Sequence, residues 1–231
     1  MRRNTIRLTA LTAMLLAAQP APAQQQAPMT ELEQSIGRRK AAPVIPATVR
    51  AMVREATANR LLVRGFGGGT INVDISEMLP ERFEAFGGGR FLGFAFTGYE
   101  YYGYLLIDRA ARGEDALIET GAAPVFSPDG HHFAAIQLSG SGWGNLEGLG
   151  VWDVGGGAVT QRLFLSALPA GEDWRIDGWR HSGCLALSAA AMNAEPAAPR
   201  LRFALEYGPR ITFGPSENDA ACAGVVEAAR V

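Results

Sequence analysis

From residue 60 onward, apolar positions fall in short alternating runs, each interrupted by glycine or proline. The runs cover 60–66, 70–75, 90–97, 101–108, 116–119, 133–139, 150–154, 160–165, 173–180, 184–189, 201–207 and 210–214. Short runs bounded by turn residues predict β-strands, and their close spacing predicts an all-β domain over 60–231. The glycine triplets at 67–69, 87–89 and 155–157 lie between strands, where turns call for positive φ.

Upstream, the period changes. Val49, Met52, Val53 and Ala56 recur at helical spacing and predict a helix over 47–59. Thr30-Glu31-Leu32-Glu33 sets a threonine cap with glutamate three residues later, which predicts a short helix ending near Gly37. Pro43 and Pro46 separate the two. Residues 24–59 are therefore expected to be a flexible leader with two short helices.

The first 23 residues have a different character. Arg2, Arg3 and Arg7 form a basic start, 8–18 is a short apolar run, and Ala21-Pro22-Ala23 is a small-residue exit. That is the layout of a cleaved secretory signal, and the run is too short to span a bilayer. No cysteine follows it to carry a lipid. The expected location is the bacterial periplasm, with secretion as the alternative.

Composition narrows the function classes. The net charge is −2, and it becomes more negative once the three early arginines are removed. A mildly acidic chain without basic clusters argues against a nucleic-acid partner. No later run approaches the length of a membrane helix. Cys184 and Cys222 form an even pair, which in an oxidising compartment predicts one disulfide.

A weak internal repeat is visible. Pro124-Val-Phe-Ser-Pro-Asp-Gly130 leads into the apolar run at 133–138, and Trp179-Arg-His-Ser-Gly183 leads into that at 184–187, so that His181 stands 53 positions after Pro128. Gly89 precedes a third such run at 91–96. Ile107-Asp108 and Trp152-Asp153 close two of the strands that follow.

Over residues 99–187 these features resemble TolB-type and WD40-like β-propeller repeats, in which an F/W-S-P-D-G turn opens a blade strand and a Trp-Asp pair ends one. The resemblance implies a propeller-like stack of antiparallel sheets and, as a default, protein binding. Only three or four repeats fit, whereas a closed propeller has about 4–8 blades. The expected architecture is thus an incomplete or very small propeller with a helical N-terminal extension, or alternatively a β-sandwich.

Candidate chemistry is sparse. Phe91, Phe94, Phe96, Tyr99, Tyr101, Tyr102 and Tyr104 crowd into one hairpin. Core packing accounts for most of them. Tyr99, Tyr101 and Tyr102 at the turn are the candidate exposed platform for a protein or a glycan. Trp143 stands in the Gly-rich loop 139–150 and is the candidate anchor beside them. His131, His132 and His181 match no metal-ligand spacing, and adjacent strand residues point to opposite faces, so no metal is expected. The chain contains neither a phosphate loop of the G-x-x-x-x-G-K-[ST] type nor a G-x-S-x-G elbow, and no cofactor is expected. The reading is a periplasmic, non-catalytic interaction module with an envelope protein or glycan as partner. The alternative is an envelope hydrolase acting on glycan or peptide, with a site assembled from His181, Asp129 and Glu147.

Overall fold

The structure, a computed structural model, describes residues 41–216. It is all-β, with four antiparallel sheets built in chain order. Sheet I holds β1 (Val53–Ala56), β2 (Arg60–Arg64) and β3 (Thr70–Asp74). Sheet II holds β4 (Leu79–Phe86), β5 (Phe91–Thr97), β6 (Tyr102–Asp108) and β7 (Leu117–Glu119). Sheet III holds β8 (Val125–Phe126), β9 (His132–Gln137), β10 (Gly148–Val154) and β11 (Val159–Leu165). Sheet IV holds β12 (Glu172–His181), β13 (Cys184–Ala190), β14 (Leu201–Glu206) and β15 (Thr212–Pro215).

The sheets stack face to face because their central strands are apolar on both faces. In β5, Leu92, Phe94 and Phe96 pack toward Leu61, Val63, Ile71 and Val73 of sheet I. The alternate residues Phe91 and Ala95 pack toward Phe133, Ala135 and Trp152 of sheet III. Sheets III and IV share a third core, with Leu149 and Val151 against Leu185, Leu187, Phe203 and Leu205. Each of these three core clusters joins neighbouring sheets, and none joins sheet IV back to sheet I among the described residues. The result is an open propeller-like stack. Arg60, Arg64, Asn72 and Asp74 keep the outer face of sheet I polar and exposed among the described residues.

The turns singled out as repeats occupy one place in the architecture. Gly87–Gly89, the Asp129-Gly130 turn and the Ser182-Gly183 turn each join the first strand of a sheet to the second. Phe91 pairs with Asp108, His132 with Asp153 and Cys184 with Glu206, so an acid stands at the last or last-but-one position of the third strand of each four-stranded sheet. Two of these acids bind the structure together. Asp108, fully buried, takes Nε and Nη2 of Arg90 at 2.9 and 2.7 Å, while Nη1 of Arg90 reaches the Gly155 carbonyl of sheet III at 2.6 Å. Asp153 accepts from the Tyr207 hydroxyl of sheet IV at 2.5 Å and pairs with His132 Nδ1 at 2.9 Å.

The helix expected over 47–59 is not formed. A single 3-10 turn, Arg50–Met52, leads into β1, which pairs with β2 from Val53↔Val63 to Ala56↔Leu61. The stripe Val49, Met52 and Val53 is nonetheless buried, against the sheet I core. A helix this short is marginal alone, and the hairpin supplies both ladder bonds and burial. The helix expected near 30–37, the secretory signal and Cys222 lie outside the described residues.

Candidate functional site

The site lies at the end of the stack where the β5–β6 and β9–β10 hairpins turn. Loop 138–147 is organised by one carboxylate. Glu147 accepts bonds from the Ser139 amide at 3.1 Å, from the Ser139 hydroxyl, and from the Gly144 amide at 3.1 Å. Burial pushes the Glu147 carboxyl up, but the bonds from Ser139 and Gly144 outweigh it and hold the group below its ordinary value. Ser139 Oγ in turn accepts from the Ser141 and Gly142 amides, and Gln137 Oε1 accepts from the Leu146 amide at 2.9 Å.

The ordered loop docks on sheet II. The Tyr102 amide donates to the Trp143 carbonyl at 3.0 Å, and the Asn145 amide donates to the Tyr102 carbonyl at 3.1 Å. These bonds form a short parallel bridge between Tyr102 and Gly144. The bridge extends β6 where β7, paired only from Leu105 to Ile107, no longer reaches. The backbone of loop 143–145 is thereby fixed while the indole of Trp143 stays 55% exposed.

Three of the four candidate aromatics are exposed at this end of the stack: Trp143, Tyr99 at 53% and Tyr102 at 38%. Tyr101 does not join them. Its ring turns inward onto Phe96, 5.3 Å away and edge-on, and Gly98 leaves it room, since a Cβ there would lie 2.5 Å from the ring. Desolvation, followed by Glu77, pushes the Tyr101 phenol up.

Beside this rim, sheets II and III bound a cleft of about 540 Å³, walled by Glu81, Arg82 and Glu84 of β4 and by Tyr102, Tyr104 and Gln137. Its floor is Tyr104, 3% exposed, whose ring crosses Gly93. The Tyr104 hydroxyl is buried and has no hydrogen-bond partner. Desolvation, then the charge of Glu84, push this phenol up, and Arg82 opposes them. The three charged residues face the cleft because β4 bulges between Glu81 and Glu84, with Arg82 at φ +51°. The bulge turns Phe83 into the core, 5.1 Å from Phe94. Sheet IV repeats the device: β12 bulges between Glu172 and Arg175, Asp173 has φ +48°, and Trp174 is turned inward. The cleft wall was not among the sequence candidates, although the matching triplets Glu81-Arg82-Phe83 and Glu172-Asp173-Trp174 carry the signal.

His181, Asp129 and Glu147 do not assemble into one site. Asp129 is held by Ser127 at 2.7 Å, by Ser182 and by the His131 amide, and these bonds, Ser127 first, keep its carboxyl far below the usual range. His181 Nδ1 accepts from the Gly183 amide at 3.1 Å. Glu147 belongs to the opposite end of sheet III, about 16 Å away by the rise of β9. His132 packs against Trp179 and Tyr207, while His131 is exposed. Among the described residues no group of three metal-ligating side chains is present, and no helix is long and apolar enough to cross a membrane.

No family model and no curated protein matches the chain. Among solved structures, the chain is similar to a crystal structure of a Bacteroides fragilis protein assigned as a 6-phosphogluconolactonase, with 12% identity and a TM-score of 0.36. The match covers 68% of this chain and spans about half of that protein, 51% of its length.

Proposed function

We propose that this chain is a periplasmic, non-catalytic interaction module of the bacterial cell envelope, with Tyr99, Tyr102 and Trp143 as its contact face. The observation that carries the reading is the Tyr102–Trp143 backbone bridge, which holds two exposed aromatics in a fixed relation. A rigid, exposed Trp beside Tyr offers contact area at low entropic cost. The basic start, apolar run and Ala-x-Ala exit of residues 1–23 support export. The even pair Cys184 and Cys222 is consistent with one disulfide in an oxidising compartment. Cys184 is buried on the side of β13 opposite Leu185 and Leu187. A bond to Cys222 would tie the C-terminal segment to the outer face of sheet IV.

The test is crosslinked capture from periplasm with the tagged chain beginning at Gln24, beside a Tyr99→Ala/Trp143→Ala variant. One specific partner, lost in the variant while its far-UV circular dichroism is unchanged, supports the reading. Equal capture by the variant removes it.

A further inference from the structure

We propose that the cleft beside this face holds a neutral saccharide, with the Tyr104 hydroxyl as a buried hydrogen-bonding contact. The inference rests on the contact-face reading and specifies what that face binds.

A buried hydroxyl without a partner carries a free-energy penalty that a folded protein ordinarily avoids. Tyr104 bears this penalty at the floor of the cleft, where Glu81, Arg82 and Glu84 line the wall without bonding to it. A ligand that supplies a hydroxyl gives this group both a donor and an acceptor. The wall chemistry points the same way. Glu81 and Glu84 accept hydrogen bonds, and Arg82 donates them. One cation facing two carboxylates leaves no surplus positive charge for a phosphate or carboxylate ligand. Arg82, exposed on the bulge between those acids, also opposes an ammonium group. A polyhydroxylated, uncharged ligand satisfies all three.

Shape and lining agree. At about 540 Å³ the cleft is of small-ligand size rather than a flat protein-docking patch. Tyr102, partly exposed at the lip, offers a π face to the C–H side of a sugar ring, and Trp143 lies adjacent for a second ring of a chain.

The experiment titrates the chain beginning at Gln24 with neutral hexasaccharides: β-1,4-linked glucose, β-1,4-linked N-acetylglucosamine, β-1,4-linked xylose and α-1,4-linked glucose. Chitosan and polygalacturonate hexamers serve as cationic and anionic counterparts. Binding is read by calorimetry and by Trp fluorescence. At least one neutral hexamer saturates, and Tyr104→Phe weakens it about tenfold while melting no lower than the wild type. Glu84→Gln, at an exposed position of β4, also weakens it. Binding of a charged hexamer alone, absence of saturation by any neutral hexamer, or unchanged affinity in Tyr104→Phe overturns the proposal. If saccharide binding is absent while partner capture still depends on Tyr99 and Trp143, the contact face stands and the saccharide assignment falls. If neither is seen, both fall.

Discussion

The amide of Tyr102 donates to the carbonyl of Trp143 at 3.0 Å, although the two residues belong to different sheets. Through this bond a hairpin loop of sheet III completes the ladder of sheet II. Tyr102 and Trp143, which would otherwise ride on independent hairpins, are thereby held side by side through their backbones. The side chains of Tyr99 and Trp143 themselves support little of the fold. Alanine at both positions should change the unfolding free energy by only about ±0.5 kcal/mol, as for other exposed sites, in a urea titration.

Glu147 is a different case, because it organises the loop from within. Glu147→Ala leaves the Ser139 and Gly144 donors without their acceptor, and hydrogen bonds to a charged group contribute about 1.5–3 kcal/mol. The variant should expose Trp143 further to acrylamide quenching while Trp152 and Trp174, both buried, remain protected. Unchanged quenching would show that the loop is held by other means.

Acid should loosen both ends of sheet III. The folded-state carboxyls of Glu147 and Asp129 titrate below their unfolded values. Their stabilisation is therefore complete above the unfolded range, about pH 4, and is lost as pH falls through the lower folded values. Melting temperature should decline below about pH 4, and Glu147→Gln and Asp129→Asn should each flatten that decline. A decline that keeps its slope in both variants would place the acid sensitivity elsewhere.

Arg90→Met tests the staple between sheets II and III. It leaves the Asp108 carboxylate, fully buried, without its bidentate partner, and removal of one member of such a pair costs about 3–5 kcal/mol. A loss below 1 kcal/mol in chemical denaturation would mean that water replaces the guanidinium there.

Gly93→Ala probes the cleft floor. A Cβ at this position would stand 2.5 Å from the Tyr104 hydroxyl, so the ring must move, at an overpacking cost of about 1–3 kcal/mol. A variant that melts like the wild type would show that Tyr104 has room to shift.

Much of this architecture is legible in the sequence, for a physical reason. Strands such as β5 and β13 are buried on both faces and read as unbroken apolar runs, and the Ser127-Pro128-Asp129-Gly130 turn marks a strand junction directly. What escaped detection lies on the edges. β4 is an edge strand with Pro80, a bulge and three charged residues, so it shows no alternation. β1 buries the same residues that a helix would, and only its pairing with β2 decides between the two. The exposure of Tyr99, Tyr102 and Trp143 was visible from turn placement. The inward turn of Tyr101 was not, because it depends on the space left by Gly98.

The most direct test of the contact face is photocrosslinking in living cells, with a benzophenone side chain in place of Trp143 or, separately, of Asn72 on the polar outer face of sheet I. The account predicts a discrete crosslinked adduct from position 143 and none from position 72. An adduct from position 72 with none from position 143 would contradict it.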